Sequence, residues 1–305
     1  MIISPTDQAI LADSLEADHM PFVVCTGQLA TVNHPWMYAV TGYQGQEVEG
    51  LMQYIMAKWD YAAKGRKPRI GHAGWTLSST DLHQIGMERM LQWYPDKFEW
   101  MGLERAPVGT AAWAVEVDRL KNCDYIHCSM VGSTMAAFIK EARLRGYTGA
   151  FIGTTSFFPG FWSLVEGAVS VSQLCDCFHS AWWPWWSDNV PVINSLKAAT
   201  QEPHTGDAAE RMKNSGPISG WLTGMITADA IVRAVQSVGA ENVDGPAIRD
   251  ALRATDMTPE GFGNPWRYTD DFHGLCRTLK IFHYNMTTRD WEETDSGWIT
   301  PRSLQ

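Results

Sequence analysis

The segment CDYIHCSMVGSTMAAFIKEARLRGYTGAFIGTTS, from Cys123 to Ser156, constrains the fold more than any other part of the chain. Tyr125 to Val131 is short and mostly apolar, which suits a buried strand. Val131-Gly132-Ser133 breaks that run. Met135, Phe138, Ile139 and Ala142 then recur at i, i+3, i+4 and i+7, one face of a helix. Lys140, Glu141, Arg143 and Arg145 fall on its outer face or at its end, where the helix dipole favours cations. Gly146 suits the position just past the helix, and Ala150 to Gly153 is a second short strand. Strand, helix and strand in so little sequence make a βαβ unit with parallel strands. Ligands of open parallel sheets sit outside the carboxyl ends of the strands. In this segment those ends are Met130-Val131-Gly132 and Thr154-Thr155-Ser156.

The same rhythm extends to both sides. Pro5 to Asp18 reads as a helix and Phe22 to Cys25 as a strand. Glu47 to Trp59 is an amphipathic helix with Val48, Leu51, Met52, Ile55 and Trp59 on one face. Arg69 to Ala73 is a strand, followed by the loop from Gly74 to Ser79 and a helix through Met90. Phe98 to Leu103 is a strand, and Trp113 to Leu120 a helix. Beyond Ser180 the texture changes to the aromatic, loop-like AWWPWWSDNVP. Val192 to Thr200 is a short helix. Trp221, Met225, Ala228, Val232 and Val235 mark a long helix, and Pro246 opens another at its favoured first position. Trp266 to Trp291 reads as β, with Leu279 to Tyr284 its clearest strand and Asn285 to Asp290 a turn.

With 305 residues the chain is long enough for two domains. A formal charge of −10 argues against a nucleic-acid backbone or an anionic membrane as partner. No apolar run reaches the length of about 18 residues that a spanning helix needs, and MIISPTDQAI lacks the parts of a signal peptide. Six cysteines could pair in many ways and need not pair at all. Cys175, Cys177 and His179 do not have a usual zinc spacing, so a buried or incidental role is favoured and no metal is expected. His72 and His127 lie within strands and read as core histidines. The sequence contains no dinucleotide fingerprint, phosphate loop, HExxH or nucleophile elbow, so no cofactor and no catalysis are expected. The tryptophans at 182, 183, 185 and 186 read as packing or an interface. Trp75, at a strand end, is the better ligand candidate.

The order of these pieces resembles the type I periplasmic solute-binding proteins, the leucine/isoleucine/valine-binding branch of ABC uptake systems. PFVVCTGQLA is similar to the family's strand and head-group loop. HPWMYAVTGYQGQEVEGLMQYIM resembles the strand, crossover and helix leading between lobes. TAAWAVEVDRLKNCDYIHCSMVGSTMAAFIKEARLRGYTGAFIG resembles its central signature, and ITADAIVRAVQSVGAENVDGPAIRDALRATD its late helix pair. The resemblance implies an α/β fold of two Rossmann-like lobes with parallel sheets, joined by a three-segment hinge. Residues 1–41 would be part of lobe 1, 42–170 lobe 2, 171–262 the rest of lobe 1, and 263–305 the hinge return and final strands. Lobe 1 looks truncated, because the family carries further βα units before the position where this chain starts. An exposed sheet edge and an apolar helix face would follow, and with them marginal stability or self-association.

The resemblance also implies a site. Thr6, Asp7 and Gln8 would lie at a helix start suited to an anion, although Asp7 would oppose one. Thr26, Gly27 and Gln28 would form the second head-group loop, with Leu29 where a hydroxyl commonly stands. Trp75, Thr76 and Ser78 would supply an aromatic lid, with Met130 and Val131 after the next strand. Thr155 would stand where amino-acid-binding members carry a carboxylate. A neutral Thr155 cannot compensate a buried ammonium, which favours an amide, a urea-like compound or an aromatic or aliphatic acid over a simple leucine or valine. The expected function is the substrate-binding component of an ABC transporter. It would take a small polar or amphipathic solute, an amino acid, amide or related organic acid, and deliver it to the permease subunits. The location would be periplasmic or at the cell surface, without membrane insertion. The alternative is a ligand-sensing regulator on the same fold. An enzyme would need an acid/base pair in the cleft, where only Asp7 offers a carboxylate.

Overall fold

The computed structural model describes residues 5–28, 33–155, 158–201 and 206–305, with side chains described from residue 8 onward. From the N-terminus, α1 (Pro5–Ala17) leads through β1 (Phe22–Thr26) and β2 (Met37–Thr41) into α2 (Gln44–Lys58) and the single turn α3 (Tyr61–Lys64). Then come β3 (Arg69–Trp75), α4 (Ser78–Trp93), β4 (Glu99–Ala106), α5 (Ala114–Leu120), β5 (Tyr125–Ser129), α6 (Gly132–Leu144) and β6 (Ala150–Gly153). A short helix α7 (Trp162–Ala168) precedes β7 (Cys177–Ala181). Four helices follow: α8 (Pro191–Gln201), α9 (Ala208–Arg211), α10 (Gly216–Val238) and α11 (Gly245–Arg253). The chain closes with β8 (Asp256–Met257), β9 (Trp266–Arg267), β10 (Gly274–Cys276), β11 (Lys280–Asn285) and β12 (Asp290–Glu293).

Two principal sheets organise these elements. One has three strands in the order β1-β2-β10, all parallel. The other has seven, in the order β12-β11-β7-β6-β5-β3-β4. Its five strands β7 to β4 are parallel, and the β11-β12 hairpin adds on antiparallel beside β7. The chain passes between the sheets three times: after β2, after β7 and after β10. This is the parallel α/β construction in two units that the sequence predicts. One assignment differs. Cys177–Ala181 lies in the stretch 171–262 expected with the smaller sheet, yet it forms β7 of the larger one, paired with β6.

The unit that opens the analysis folds as its pattern dictates. α6 buries Met135, Phe138, Ile139 and Ala142, and β5 pairs with β6 in register Tyr125↔Ala150. Gly146, at φ +84°, takes the left-handed conformation that ends the helix. Arg143 does more than favour the dipole. Its guanidinium donates to the carbonyls of Tyr147 (2.8 Å), Gly149 (2.8 Å), Cys175 (2.7 Å) and Gln173 (3.2 Å), and it lies 4.5 Å from the Phe151 ring. These carbonyls precede β6 and β7, so one side chain ties the amino ends of two strands together.

Two glycines set the approach of α2 to α4. A Cβ on Gly86 would stand 2.1 Å from the Gly45 carbonyl oxygen, and one on Gly45 would stand 2.8 Å from the Leu82 carbonyl oxygen. The helices meet backbone to backbone, which only residues without a Cβ allow.

α10 is the long helix that the sequence marks, with Trp221 and Met225 half-buried against the core. It buries Ile218, Leu222, Ile226, Ala230 and Ala234, while Ile231, Val232, Val235 and Val238 stay exposed. The helix is therefore apolar on two sides. β1 is the outer strand of the small sheet. An added Cβ at Gly224, on the exposed side, meets nothing within 4 Å. Gly224→Ala is therefore expected to stabilise the chain by about 0.5–1 kcal/mol through lower unfolded-state entropy. Urea unfolding checks this, and a lower midpoint would contradict it.

Candidate functional site

The carboxyl ends of the strands in both sheets carry buried polar groups. On the small-sheet side, Thr6 and Asp7 lie in the first turn of α1, with side chains outside the described residues. Gln8 is buried, and its amide donates to Thr26 O at 3.2 Å. Thr26 ends β1, and Gly27 and Gln28 follow it as buried residues. Leu29 and Ser156 lie outside the described residues. Thr41, at the end of β2, donates within this corner, to Cys25 O (3.2 Å) or Gly42 O (2.9 Å).

On the large-sheet side, Gly74 of β3 is in register with Ser129 of β5, which places Trp75 and Met130 on neighbouring strand ends. Trp75 is half-buried, and its indole nitrogen has no hydrogen-bond partner among the described residues. Thr76 and Ser78 are exposed at the start of α4. Met130 lies fully buried in the core, and Val131 is half-buried at the start of α6. Beneath these residues sit three fully buried histidines. His72 Nε2 is 2.8 Å from Ser129 Oγ, which is 3.1 Å from Thr80 Oγ1. His83 donates from Nδ1 to Ser79 O (2.6 Å), which leaves Nε2 to accept from Thr154 Oγ1 (2.9 Å). His127 lies with its ring 4.8 Å from that of His72 and 5.1 Å from that of His83, and neither of its ring nitrogens has a partner. Burial pushes His83 down to about 4 and holds His72 and His127 well below the usual imidazole range. A buried neutral trio is the only arrangement such packing tolerates. Among the described residues no group of three or more His, Cys, Asp or Glu side chains is arranged to hold a metal. Cys175, Cys177 and His179 form no such group either, and His179 stacks on Phe282. All six cysteines are unpaired thiols.

Thr155 is the node between the two sides. Its backbone N–H donates to Glu47 Oε1 at 3.0 Å. Its hydroxyl lies 2.6 Å from Ser180 O and also meets Glu47 Oε1. Its carbonyl accepts from Ser215 Oγ at 2.8 Å. The first turn of α2, the end of β7 and the approach to α10 thus meet on one residue. The hydroxyl expected to face a solute is instead spent inside the protein. Glu47 was not singled out from the sequence as a site residue, because one acidic residue in the first turn of a helix has an ordinary reading as a dipole partner. It is fully buried, and desolvation pushes its carboxyl up to about 7 despite hydrogen bonds with Thr155. The Ser180 hydroxyl and the Trp182 indole N–H also stand beside that carboxyl as donors, in looser geometry than the Thr155 bonds. The Trp182, Trp183, Trp185 and Trp186 side chains are all buried in the core, the packing role that the sequence favours.

Open parallel α/β sheets take their ligands outside the carboxyl ends of the strands. The comparisons agree with this construction. A structure from Thermus thermophilus, a branched-chain amino acid ABC transporter protein with bound valine, superposes with a TM-score of 0.82. It has 12% identity, over 99% of this chain and 78% of that one. A fatty acid ABC transporter substrate-binding protein from Thermomonospora curvata gives 0.82 at 15% identity, over 100% of this chain and 75% of that one. A solute-binding protein from R. palustris in complex with benzoate gives 0.75 at 11%, over 96% and 74%. No curated protein matches the chain. The sequence model of one family, described as periplasmic binding protein, matches residues 1–289. That match covers nearly the whole chain, which therefore belongs to the periplasmic binding protein family, a family of binding proteins and not of enzymes.

Proposed function

We propose that this chain is the substrate-binding component of an ABC uptake transporter. It holds a small polar or amphipathic solute between its two lobes and presents it to the permease subunits. The observation that carries this reading is the family match over residues 1–289. Polar groups near the strand ends support it, with Gln8, Thr26 and Gln28 on one side and Trp75, Thr76 and Ser78 on the other. The three fold neighbours described above hold or are named for an amino acid, a fatty acid and benzoate, so the fold leaves the solute class open. A periplasmic or surface-attached location goes with this role, and no described helix is long and apolar enough to cross a membrane.

A thermal-shift scan against amino acids, amides, amines, short-chain acids and aromatic acids tests the proposal. Binding to the native state adds about 2.7 kcal/mol at a hundredfold excess over Kd, which corresponds to a rise of several degrees. A scan in which no class moves the midpoint would contradict the proposal.

A further inference from the structure

The residues just before α10 reach out of their own lobe. α10 packs on β1 and β2 of the small sheet. Yet Lys213 Nζ donates to Glu166 Oε2 at 2.7 Å, and Asn214 Oδ1 accepts from the Ser163 N–H at 3.2 Å. The Ser215 hydroxyl donates to Thr155 O at 2.8 Å, and its N–H reaches Pro159 O at 3.4 Å. These partners lie between the end of β6 and α7, on the large-sheet lobe. α7 packs on α6, and its Trp162 ring lies against Tyr284 of β11 and Trp291 of β12. Three consecutive residues of one lobe are thus bonded to the other.

Glu166 has partners on both lobes. Its side chain is only 5% exposed. Lys213 comes from the small-sheet lobe. The Tyr284 hydroxyl and Arg289, whose Nε is 3.4 Å from Oε1, come from the lobe of Glu166 itself. When the lobes part, Lys213 leaves and the other two stay. A surface hollow of about 360 Å³ opens on Lys213, Glu166 and Arg289, so water reaches Lys213 as it goes. A carboxylate so nearly buried is costly with no cation beside it, and Arg289 removes that cost from the parted state. Arg289 does so from a backbone position with φ +57°. Glycine takes that conformation freely, and a residue with a Cβ does not. The turn itself would be better served by glycine, so what this position gains from arginine is the side chain.

We infer that Lys213, Glu166 and Arg289 form a latch that sets the balance between closed and parted lobes. Lys213 holds the lobes together, and Arg289 keeps that hold weak enough to release. All three are positioning residues: they tune affinity through the population of the closed form rather than by touching solute. This rests on the reading of the interlobe cleft as the solute site.

The two cations have opposite expected signs. Lys213→Met removes the hold and leaves Glu166 paired with Arg289 in both states. Arg289→Gly suits the backbone and leaves Glu166 without a cation only when the lobes part, so it favours closure. Small-angle scattering from the full chain without solute reads the balance. Lys213→Met is expected to lower the closed-to-parted ratio roughly three- to tenfold, the scale of a partly exposed ion pair, and to raise the radius of gyration. Arg289→Gly is expected to raise the ratio by a similar factor and lower the radius. Lys213→Arg, which keeps the charge, is expected to match the parent. Hydrogen exchange at the Ser163 and Ser215 amides reads the same balance where one form dominates. It is expected to quicken in Lys213→Met and slow in Arg289→Gly. Shifts of the same sign in both variants, or no shift by either method, overturn the inference. Because no solute is used, that failure leaves the thermal-shift scan untouched. A scan in which nothing binds removes the solute reading while opposite shape shifts keep the latch.

Discussion

The melting midpoint of this chain is expected to fall steeply between pH 6.5 and 4.5. His72, His83, His127 and His179 are all fully buried. In the unfolded chain each takes up a proton as pH drops through about 6.5. In the folded chain burial withholds that proton, down to about 4 for His83, about 3 for His179, and well below the usual value for His72 and His127. The unfolded state binds more protons across this window, so stability declines as pH falls. Each histidine contributes up to about 1.4 kcal/mol per pH unit. The first three are coupled: His72 faces His83 and, more weakly, Arg105, and His127 faces His72 and His83. A proton on any one of these rings makes a second costlier. Glu47, raised to about 7, works in the opposite direction, as do Glu49 and Asp290, whose carboxyls burial also raises. They take up protons in the folded state first and so return part of the loss. The net expectation is a few kcal/mol per pH unit near pH 5.5. Urea melts at pH 7.5, 6.5, 5.5 and 4.5 measure it, and a flat profile would refute it. His127→Leu removes two unpartnered nitrogens, so it is expected to hold or raise stability at pH 7.5 and to flatten the slope by about one proton's worth.

Gly86→Ala is expected to be among the most damaging single methyl groups that can be added to this protein. The new Cβ would overlap the backbone of Gly45 at 2.1 Å from its oxygen and 2.8 Å from its Cα. Neither partner is the flexible end of a side chain, so one helix must move. Overpacking of this kind costs about 1–3 kcal/mol and sometimes more. Because Gly45 lies in the first turn of α2, the shift is passed directly to Gln44 and Glu47. Solute binding is therefore expected to weaken beyond what the loss of stability explains. Denaturant unfolding together with a binding titration on the folded variant separates the two effects. A variant within about 0.5 kcal/mol of its parent, the range of an ordinary surface change, would show that α2 and α4 can separate freely. Gly224→Ala adds the same methyl group with the opposite expected sign, because there the surrounding space is open.

Local periodicity was enough to read most of the fold. α6 and β6 follow from apolar spacing and one glycine, and the predicted limits Ala150 to Gly153 agree with the strand observed. Periodicity found α10 but left its covered side open, since spacing reports that a stripe exists and not which neighbour covers it. It failed at β7. Cys177 and His179 stand out to an eye looking for ligands, but alternation of small and aromatic residues there serves a central strand. The candidate site was less legible for a different reason. A site of this kind is assembled from strand ends far apart in sequence, and the Glu47–Thr155 bond spans 108 residues. The family resemblance drew attention to position 155. It could not show that the carboxyl bonded to Thr155 comes from another element, at the start of a helix where an acidic residue is commonplace.

The guanidinium of Arg143 gives the seven-stranded sheet a direction. It gathers four carbonyls at the amino ends of β6 and β7, and arginine stays charged at every pH the protein meets. The acid sensitivity of the sheet sits elsewhere, on the buried His72 and His127 at the middle of β3 and β5, so the clasp on β6 and β7 is the part of the sheet that a change of pH does not reach.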